Sequence, residues 1–369
     1  MKTKFILSAD DYGPIKYINR GIRKAVEHGV INSVQVIVNY SAATLYNDLK
    51  LLNAVVPQGK KVSIGLHLTF TSGKPLFTEE GKTVSETWRE IVVKSANDEW
   101  YFRDYVKFNY SYVTTDDSGQ YSRALVGEFK AQAERLRSVL EQLEADIGEL
   151  SIVFNSLSNH HDICTGTHDL FEKYSLLSTN ENLTIRSPKI QSNFQSWTYY
   201  NIVLQRINKF GTRETRRETR LLRKAFKENK YTGEFDVVLK SPSYKDAKFY
   251  RKLGSLSIYN WFRKLKVKKR VKIVSKVMNE AKEYDLHHAT YPKQKVIEVL
   301  FHLGDDEYTG RLNDAIMDGY VGVKRKYFED RAIELQALLI AKKSGELDAF
   351  FESDGTLWDS CSTVKFLKN

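Results

Sequence analysis

Short apolar runs alternate with amphipathic stretches along this chain, and the alternation predicts an α/β fold. The strand candidates are rich in β-branched and apolar residues; they are 5–9, 33–38, 61–68, 152–155, 183–185 and 296–301. The helix candidates have apolar residues at helical spacing; they are 15–28, 42–52, 127–144 and 327–342. Parallel strands that are each followed by a helix form a barrel or a doubly wound sheet, and both place their chemistry at the carboxyl ends of the strands.

Two segments interrupt this rhythm. Residues near 78–121 are aromatic and polar with weak periodicity, and residues near 193–291 are basic with several aromatic side chains. We interpret both as elaborations on a single catalytic α/β domain that covers residues 1–369.

The formal net charge of +11 is concentrated in one segment. Residues 206–276 contain 23 Lys and Arg against 6 Asp and Glu, so the remainder of the chain is net negative. Such a segment can bind an anionic polymer, or it can be a solvated helical face with Glu–Arg pairs. Both interpretations stay open.

Composition also bears on the compartment. The chain has two cysteines, Cys164 and Cys361, which are too few and too distant for a disulfide framework. No stretch approaches the roughly 20 apolar residues of a membrane span. These observations predict a cytoplasmic protein without a membrane span, and leave a homodimer as one option for its oligomeric state.

Two neighbouring carboxylates, Asp10 and Asp11, follow the first strand candidate. Like charges held close together raise each other's pKa, and a cation beside them removes that cost. The pair therefore indicates a metal site with a base beside it. The alternative is that the pair caps the helix that follows.

Histidines follow other strands in the same way. His67 lies at the end of 61–68, His160 and His161 follow the strand that begins at residue 152 with Asp162 behind them, and His302 follows 296–301. The carboxyl ends of parallel strands share one edge of a sheet, so these groups can gather there. A mixed set of carboxylate and imidazole ligands suits a divalent cation.

The order of these motifs makes the chain similar to a known family. The sequence resembles the YdjC-like carbohydrate deacetylases in segments spread from residue 9 to about residue 338. The segments are 9–13 (ADDYG), 65–69 (GLHLT), 73–76 (GKPL), 128–135 (EFKAQAER), 185–188 (IRSP), 298–304 (EVLFHLG) and 331–335 (RAIEL).

The resemblance implies a distorted TIM-like (β/α) barrel that removes N-acetyl groups from amino sugars or oligosaccharides with one divalent metal ion. It implies that Asp11, His67 and His160 hold the metal, with Asp10 as the general base. His302 matches a histidine that faces the leaving group as an acid. Mg²⁺ is the first choice of metal, with Zn²⁺ or another divalent ion as the alternative.

Weaker candidates for substrate contact are Tyr12, Arg186, His161 and Asp162. The chain also departs from the family pattern D-S-H-x-H-x-H, since it has Ser158 at the leading Asp and Asp162 and Cys164 at the later histidines. A register shift by one would make His161 the ligand in place of His160. Leu303 stands where the family has proline.

Two other functions remain compatible with the sequence. One is metal-dependent hydrolysis of a different bond, such as a phosphoester. The other is a catalytically silent barrel that binds a polyanion through residues 206–276.

Overall fold

The computed structural model describes residues 4–95, 97–103, 120–160, 184–185, 238–240, 267–272, 274–275, 296–305 and 325–348. Its centre is a seven-stranded sheet in which every pair of neighbouring strands is parallel. The strands are β1 (Lys4–Tyr12), β2 (Ser33–Val36), β3 (Val62–Leu68), β6 (Ile152–Asn159), β7 (Thr184–Ile185), β8 (Val238–Lys240) and β9 (Val296–Phe301). Their spatial order is β7-β6-β3-β2-β1-β9-β8. The predicted α/β class with a parallel sheet is confirmed.

All but the shortest of the helices named here lie where the periodicity predicts them. They are α1 (Lys16–Glu27), α2 (Ala42–Ala54), α3 (Val84–Trp88), α4 (Gln120–Ile147) and α5 (Arg325–Lys343). Helix α2 packs against α4, and α1 packs against α5. No helix among the described residues is long and apolar enough to cross a membrane.

The two faces of the sheet differ in chemistry although both are buried. One face carries apolar side chains that join the hydrophobic core with the helices, among them Leu7, Val34, Leu66 and Leu157. The other face is polar, because the alternate positions hold serines, a glutamine and histidine. Its buried members include Ser8, Ser33, Gln35, Ser63, His67 and Ser158. The alternation of side chains along the strands therefore gathers polar groups on one face, where a functional site at the carboxyl end can form.

A bulge places the two acids at that end. Ala9 pairs with Val34 and Tyr12 pairs with Val36, so Asp10 and Asp11 together lie opposite the single residue between them on β2. Asp11 has a φ of 70°, in the left-handed region that aspartate tolerates better than most residues. The extra residue lets two consecutive carboxylates approach the same side of the sheet. Helix α1 has no side-chain cap, so the helix-cap alternative for the pair is wrong.

The turn after the acids is held from both sides by Asn19 of α1. The Asn19 side chain accepts from the Gly13 N–H at 2.7 Å and donates to the Gly13 carbonyl at 2.7 Å. Gly13 has a φ of 143°, and a Cβ there would lie 2.5 Å from the Ile37 carbonyl oxygen. Only glycine fits this close approach, which fixes where the chain leaves the acid pair.

We therefore expect Gly13→Ala to destabilise the protein more than a comparable glycine change elsewhere. Gly81 is the matched control, because its φ is 73° but nothing lies within 4 Å of a Cβ built there. Gly81→Ala should lower the free energy of unfolding by about 1 kcal/mol from backbone strain alone. Gly13→Ala should lose a further 1–3 kcal/mol, roughly, from the clash and from its φ of 143°, which lies outside the left-handed region that side chains tolerate. Urea denaturation measures both, and equal losses would contradict the close-approach argument.

The aromatic segment near 78–121 contributes to the core. It contains α3, a 3-10 turn (Arg89–Ile91) and an antiparallel pair of strands, β4 (Val92–Lys94) and β5 (Trp100–Phe102). Trp88 packs edge-to-face on Phe102 with ring centroids 5.0 Å apart, and Phe70 joins them. The described part of this segment is thus folded and packed into the hydrophobic core.

A part of the basic segment packs in the same core. Val267 and Val271, in the helical residues 267–272, are buried, as is Val274. Arg270 of this stretch makes a close ion pair with Glu334 of α5. This portion is accordingly a packed helical element that keeps Lys268, Lys269 and Lys272 exposed, and most of the remaining segment lies outside the described residues.

Candidate metal centre

Three side chains from three strand ends converge on one buried point. Asp11 comes from the end of β1, His67 from β3, and His160 from the residue after β6. All three are buried, and one ligand atom of each lies within 4.8 Å of the others. Strands β3 and β6 are neighbours, and only β2 lies between β3 and β1, which explains why the chain brings these distant residues together.

Asp11 is the centre of the group. Its Oδ1 lies 3.4 Å from His67 Nε2 and 3.4 Å from His160 Nε2. Asp10 lies at the margin, with its Oδ2 3.9 Å from His67 Nε2. The two imidazole rings stand edge to face with centroids 5.2 Å apart. Both histidines therefore direct Nε2 toward the same carboxylate oxygen.

The second oxygen of Asp11 is bound by an arginine. Arg331 of α5 donates from Nη2 to Asp11 Oδ2 at 2.6 Å, and both side chains are buried. Burial alone would raise the pKa of Asp11, but the Arg331 charge holds that pKa well below its usual value. Asp11 is consequently ionised, as a metal ligand must be.

Hydroxyl groups hold the far side of each imidazole. His67 Nδ1 lies 2.8 Å from Ser158 Oγ. His160 Nδ1 lies 3.2–3.4 Å from the hydroxyls of Thr69, Thr71 and Ser72. With Nδ1 engaged on the hydroxyl side, each Nε2 is the nitrogen presented to Asp11.

Helix α4 secures the loop that carries those hydroxyls. Gln132 donates to the Thr69 carbonyl at 2.8 Å and accepts from the Thr69 N–H at 3.2 Å. Glu128, one turn earlier, accepts from the backbone N–H groups of Leu76 and Phe77 at 2.8 and 2.7 Å. Burial raises the pKa of Glu128 to about 7, although these donors favour its ionised form. The two polar residues of α4 thus position the support of His160.

His302 follows β9, next to β1 in the sheet, and is partly buried. Its backbone N–H donates to Glu334 Oε1 at 3.1 Å. Burial and the Arg331 charge lower the pKa of its imidazole, while Asp11, Asp10 and Glu334 act in the opposite direction. The ring is therefore within electrostatic reach of the acid pair, and its role as an acid stays a prediction.

The weaker candidates fare differently. Tyr12 is fully buried, and its hydroxyl donates to the Asp48 carbonyl at 2.6 Å and accepts from Arg23 at 3.2 Å. The structure thus leaves Tyr12 no exposed ring face for a sugar, because the chain turns it into the core beside α2. Arg186, His161 and Asp162 lie outside the described residues, so their contacts stay predictions.

Several residues at this site were not expected from sequence. Arg331 and Glu334 lie on one face of α5, and Gln35 and Ser158 lie on the polar face of the sheet. Arg331 follows Glu329 and Asp330 in the sequence, so no local pattern separates it from a surface position. Gln35 between Val34 and Val36 was a usable signal, since a strand interior seldom has an amide without a partner.

The donor set is chemically suited to a cation. Asp11 offers an ionised oxygen, and His67 and His160 offer ring nitrogens whose opposite sides are already hydrogen-bonded. Metal-binding histidines typically have their other ring nitrogen hydrogen-bonded in this way. Among the described residues, this is the group of His, Cys, Asp and Glu whose ligand atoms lie close enough to share an ion.

Comparison with known proteins agrees with this arrangement. Residues 4–144 match the YdjC-like protein family. That segment contains β1 to β3 and α4, and therefore Asp10, Asp11 and His67. The later site residues, His160 and His302, lie beyond the YdjC-like match.

Several curated relatives are named as deacetylases. A carbohydrate deacetylase of Vibrio cholerae is 35% identical over 102 residues, which are 28% of this chain and 36% of that protein. A chitooligosaccharide deacetylase of Serratia marcescens is 34% identical over 95 residues, 24% of this chain and 35% of that protein. The chain thus spans about a third of the length of these two relatives. A carbohydrate deacetylase of Clostridium beijerinckii is 25% identical over 186 residues, 50% of this chain and 60% of that protein.

One solved structure is similar in fold over nearly the whole chain. It is the crystal structure of an Enterococcus faecalis V583 protein named for a suggested role in cellobiose-phosphate cleavage. The TM-score is 0.51 at 14% identity, with 99% of each chain covered. The likeness concerns the fold alone.

Proposed function

We propose that this protein is a metal-dependent hydrolase that removes N-acetyl groups from amino sugars or oligosaccharides. The observation that carries the proposal is the convergence of Asp11, His67 and His160 beside Asp10 at the carboxyl edge of the sheet. The names of the relatives matched over about a third of their length support carbohydrate deacetylation over hydrolysis of another bond.

The residues have separate roles in this proposal. A cation bound by Asp11, His67 and His160 would polarise the acetyl carbonyl and acidify a water molecule. Asp10 is next to Asp11 but lies farther from His67, and it accepts the proton of the attacking water. His302 donates a proton to the departing amine nitrogen; Asp11 and Asp10 favour the protonated imidazole that this step needs, against the lowering of its pKa by burial and Arg331.

The ligand types bear on the choice of metal. Two imidazoles and one carboxylate suit Zn²⁺ or Co²⁺ better than Mg²⁺, which prefers oxygen ligands. The first choice made from sequence, Mg²⁺, stays a prediction. Titration of the metal-free protein with Mg²⁺, Mn²⁺ and Zn²⁺ separates the options.

We further propose that the sheet is part of a distorted TIM-like barrel in one catalytic domain. The support is a parallel sheet whose polar face is buried as well as its apolar face, as in a barrel interior. The full-length likeness to the E. faecalis structure is compatible with a single domain. Cytoplasmic location, homodimer formation and binding of an anionic polymer remain predictions, and no contact among the described residues supports the last two.

The test is release of acetate from a panel of N-acetylated mono- and oligosaccharides by the metal-loaded protein. We expect acetate release that stops with chelator and returns with added metal. A phosphoester panel run in parallel tests the alternative hydrolase. Binding of metal without acetate release from any sugar would argue against deacetylation while leaving the metal centre in place.

A further inference from the structure

We propose that Ser158 and Gln35 form a hydrogen-bonded relay that selects the metal-binding tautomer of His67. They are positioning residues: neither is a ligand, yet together they decide which ring nitrogen of His67 carries the hydrogen. The inference rests on the proposed function only through the metal centre, not through any substrate.

The first step concerns the single hydrogen of the Ser158 hydroxyl. Ser158 is fully buried, and its Oγ lies 2.7 Å from Gln35 Oε1 and 2.8 Å from His67 Nδ1. The Gln35 oxygen can only accept, so the hydroxyl hydrogen goes there. Ser158 Oγ can then only accept from His67, which requires a hydrogen on Nδ1. Nε2 is left with its lone pair directed toward Asp11.

The second step concerns why Gln35 presents its oxygen to Ser158. Gln35 Nε2 lies 3.2 Å from Ser156 Oγ and 3.3 Å from Ser33 Oγ, two hydroxyls that can accept. Gly65 keeps this arrangement possible, since a Cβ there would lie 2.1 Å from Gln35 Oε1 and 2.3 Å from Ser156 Oγ. In this orientation both polar atoms of the Gln35 amide have partners, and the hydrogen positions of the relay follow from it.

The third step is the consequence of reversing the relay. If the Gln35 amide turned by 180°, its NH₂ group would donate to Ser158, and Ser158 would donate to His67 Nδ1. His67 would then carry its hydrogen on Nε2, where it would block a cation. The relay orients His67 without adding charge to a site that already holds Asp10, Asp11 and Arg331. A carboxylate at position 158 would have added a further negative charge.

The variant that tests the relay is Ser158→Ala, with Ser156→Ala as its matched control. Each variant removes one hydroxyl from the same face of β6. Both serines contact Gln35, but only Ser158 contacts His67. We expect the Zn²⁺ affinity of Ser158→Ala, measured by competition with a chelating dye, to fall about 10–100-fold. Ser156→Ala should stay within about threefold of the unaltered protein, since Gln35 keeps Ser33 as a partner.

A second measurement reports the tautomer directly. In ¹⁵N NMR spectra of the unaltered metal-free protein at pH 8, we expect His67 to carry its hydrogen on Nδ1. In Ser158→Ala and in Gln35→Met, hydrogen on Nε2 should become populated, because the acceptor or its orienting partner is gone. Thermal unfolding in chelator confirms that each variant is folded.

The outcomes separate the relay from the metal centre. Equal Zn²⁺ affinity of Ser158→Ala and the unaltered protein, or hydrogen on His67 Nε2 in the unaltered protein, would overturn the relay and leave the proposed function standing. Failure of the unaltered protein to bind Zn²⁺ at all would overturn both the relay and the metal centre. A loss of affinity confined to Ser158→Ala and Gln35→Met would support the relay.

Discussion

Asp11→Asn is expected to abolish metal binding and also to destabilise the fold. The amide loses the negative charge that a cation needs, so Zn²⁺ affinity should fall by more than the roughly 10–100-fold typical of a supporting residue. The same change leaves the buried Arg331 guanidinium without its ionic partner at 2.6 Å. Removing one partner of a buried pair costs about 3–5 kcal/mol of unfolding free energy.

A double variant separates these two effects of Asp11. Arg331→Met removes the buried positive charge, so Asp11→Asn combined with Arg331→Met should recover much of the lost stability. Metal binding should not return, because the ligand oxygen is still uncharged. Stability from urea denaturation and Zn²⁺ affinity from dye competition form a double-mutant cycle. If the combined variant were no more stable than Asp11→Asn alone, the ion pair would not be the cause of the loss.

Asp10→Asn should have the opposite profile: metal binding is kept and catalysis is lost. Asp10 Oδ2 is 3.9 Å from His67 Nε2, whereas Asp11 Oδ1 is 3.4 Å from the Nε2 atoms of both imidazoles, so Asp10 is the less well placed ligand and, in our proposal, the base. Loss of a positioned general base costs about 10²–10⁴-fold in rate. Acetate release from an N-acetylated oligosaccharide, at saturating metal, measures that loss.

Asp10→Asn and Asp11→Asn serve as controls for each other. Asp10→Asn and Asp11→Asn alter the same atoms one residue apart, so nonspecific effects of an amide at this edge appear in both. Metal affinity should distinguish them. If Asp10→Asn lost Zn²⁺ as completely as Asp11→Asn, Asp10 would be a ligand, and the base would have to be sought elsewhere.

Strand and helix positions follow closely from local pattern, because burial at a period of 2 or 3.6 is a property of the sequence itself. The predicted strand at 296–301 coincides with β9, and the helix predicted at 42–52 is α2 extended by two residues. The ends differ more where tertiary contacts decide them. The first strand continues past residue 9 to Tyr12, because a bulge against β2 keeps Asp10 and Asp11 within the ladder.

The candidate ligands also come from sequence, and their partners do not. Polar residues at strand ends pointed to Asp11, His67 and His160, since parallel strands end at a common edge. Arg331, about 320 positions away from Asp11 along the chain, reaches it only because α5 packs against α1. No local pattern encodes that contact.

Tyr12 and Ser158 also show that residue type alone does not determine which groups a side chain contacts. Tyr12 was a weaker candidate for substrate contact, but the direction in which the chain leaves the bulge buries it. Ser158 looked like a defect in the metal motif, yet it hydrogen-bonds His67 at 2.8 Å. By itself the sequence determined the α/β elements and the ligand candidates at the strand ends, because both depend on residue type at fixed spacing. Only the tertiary structure decided which groups surround those ligands, because charge pairing and tautomer depend on atoms brought together across the sheet.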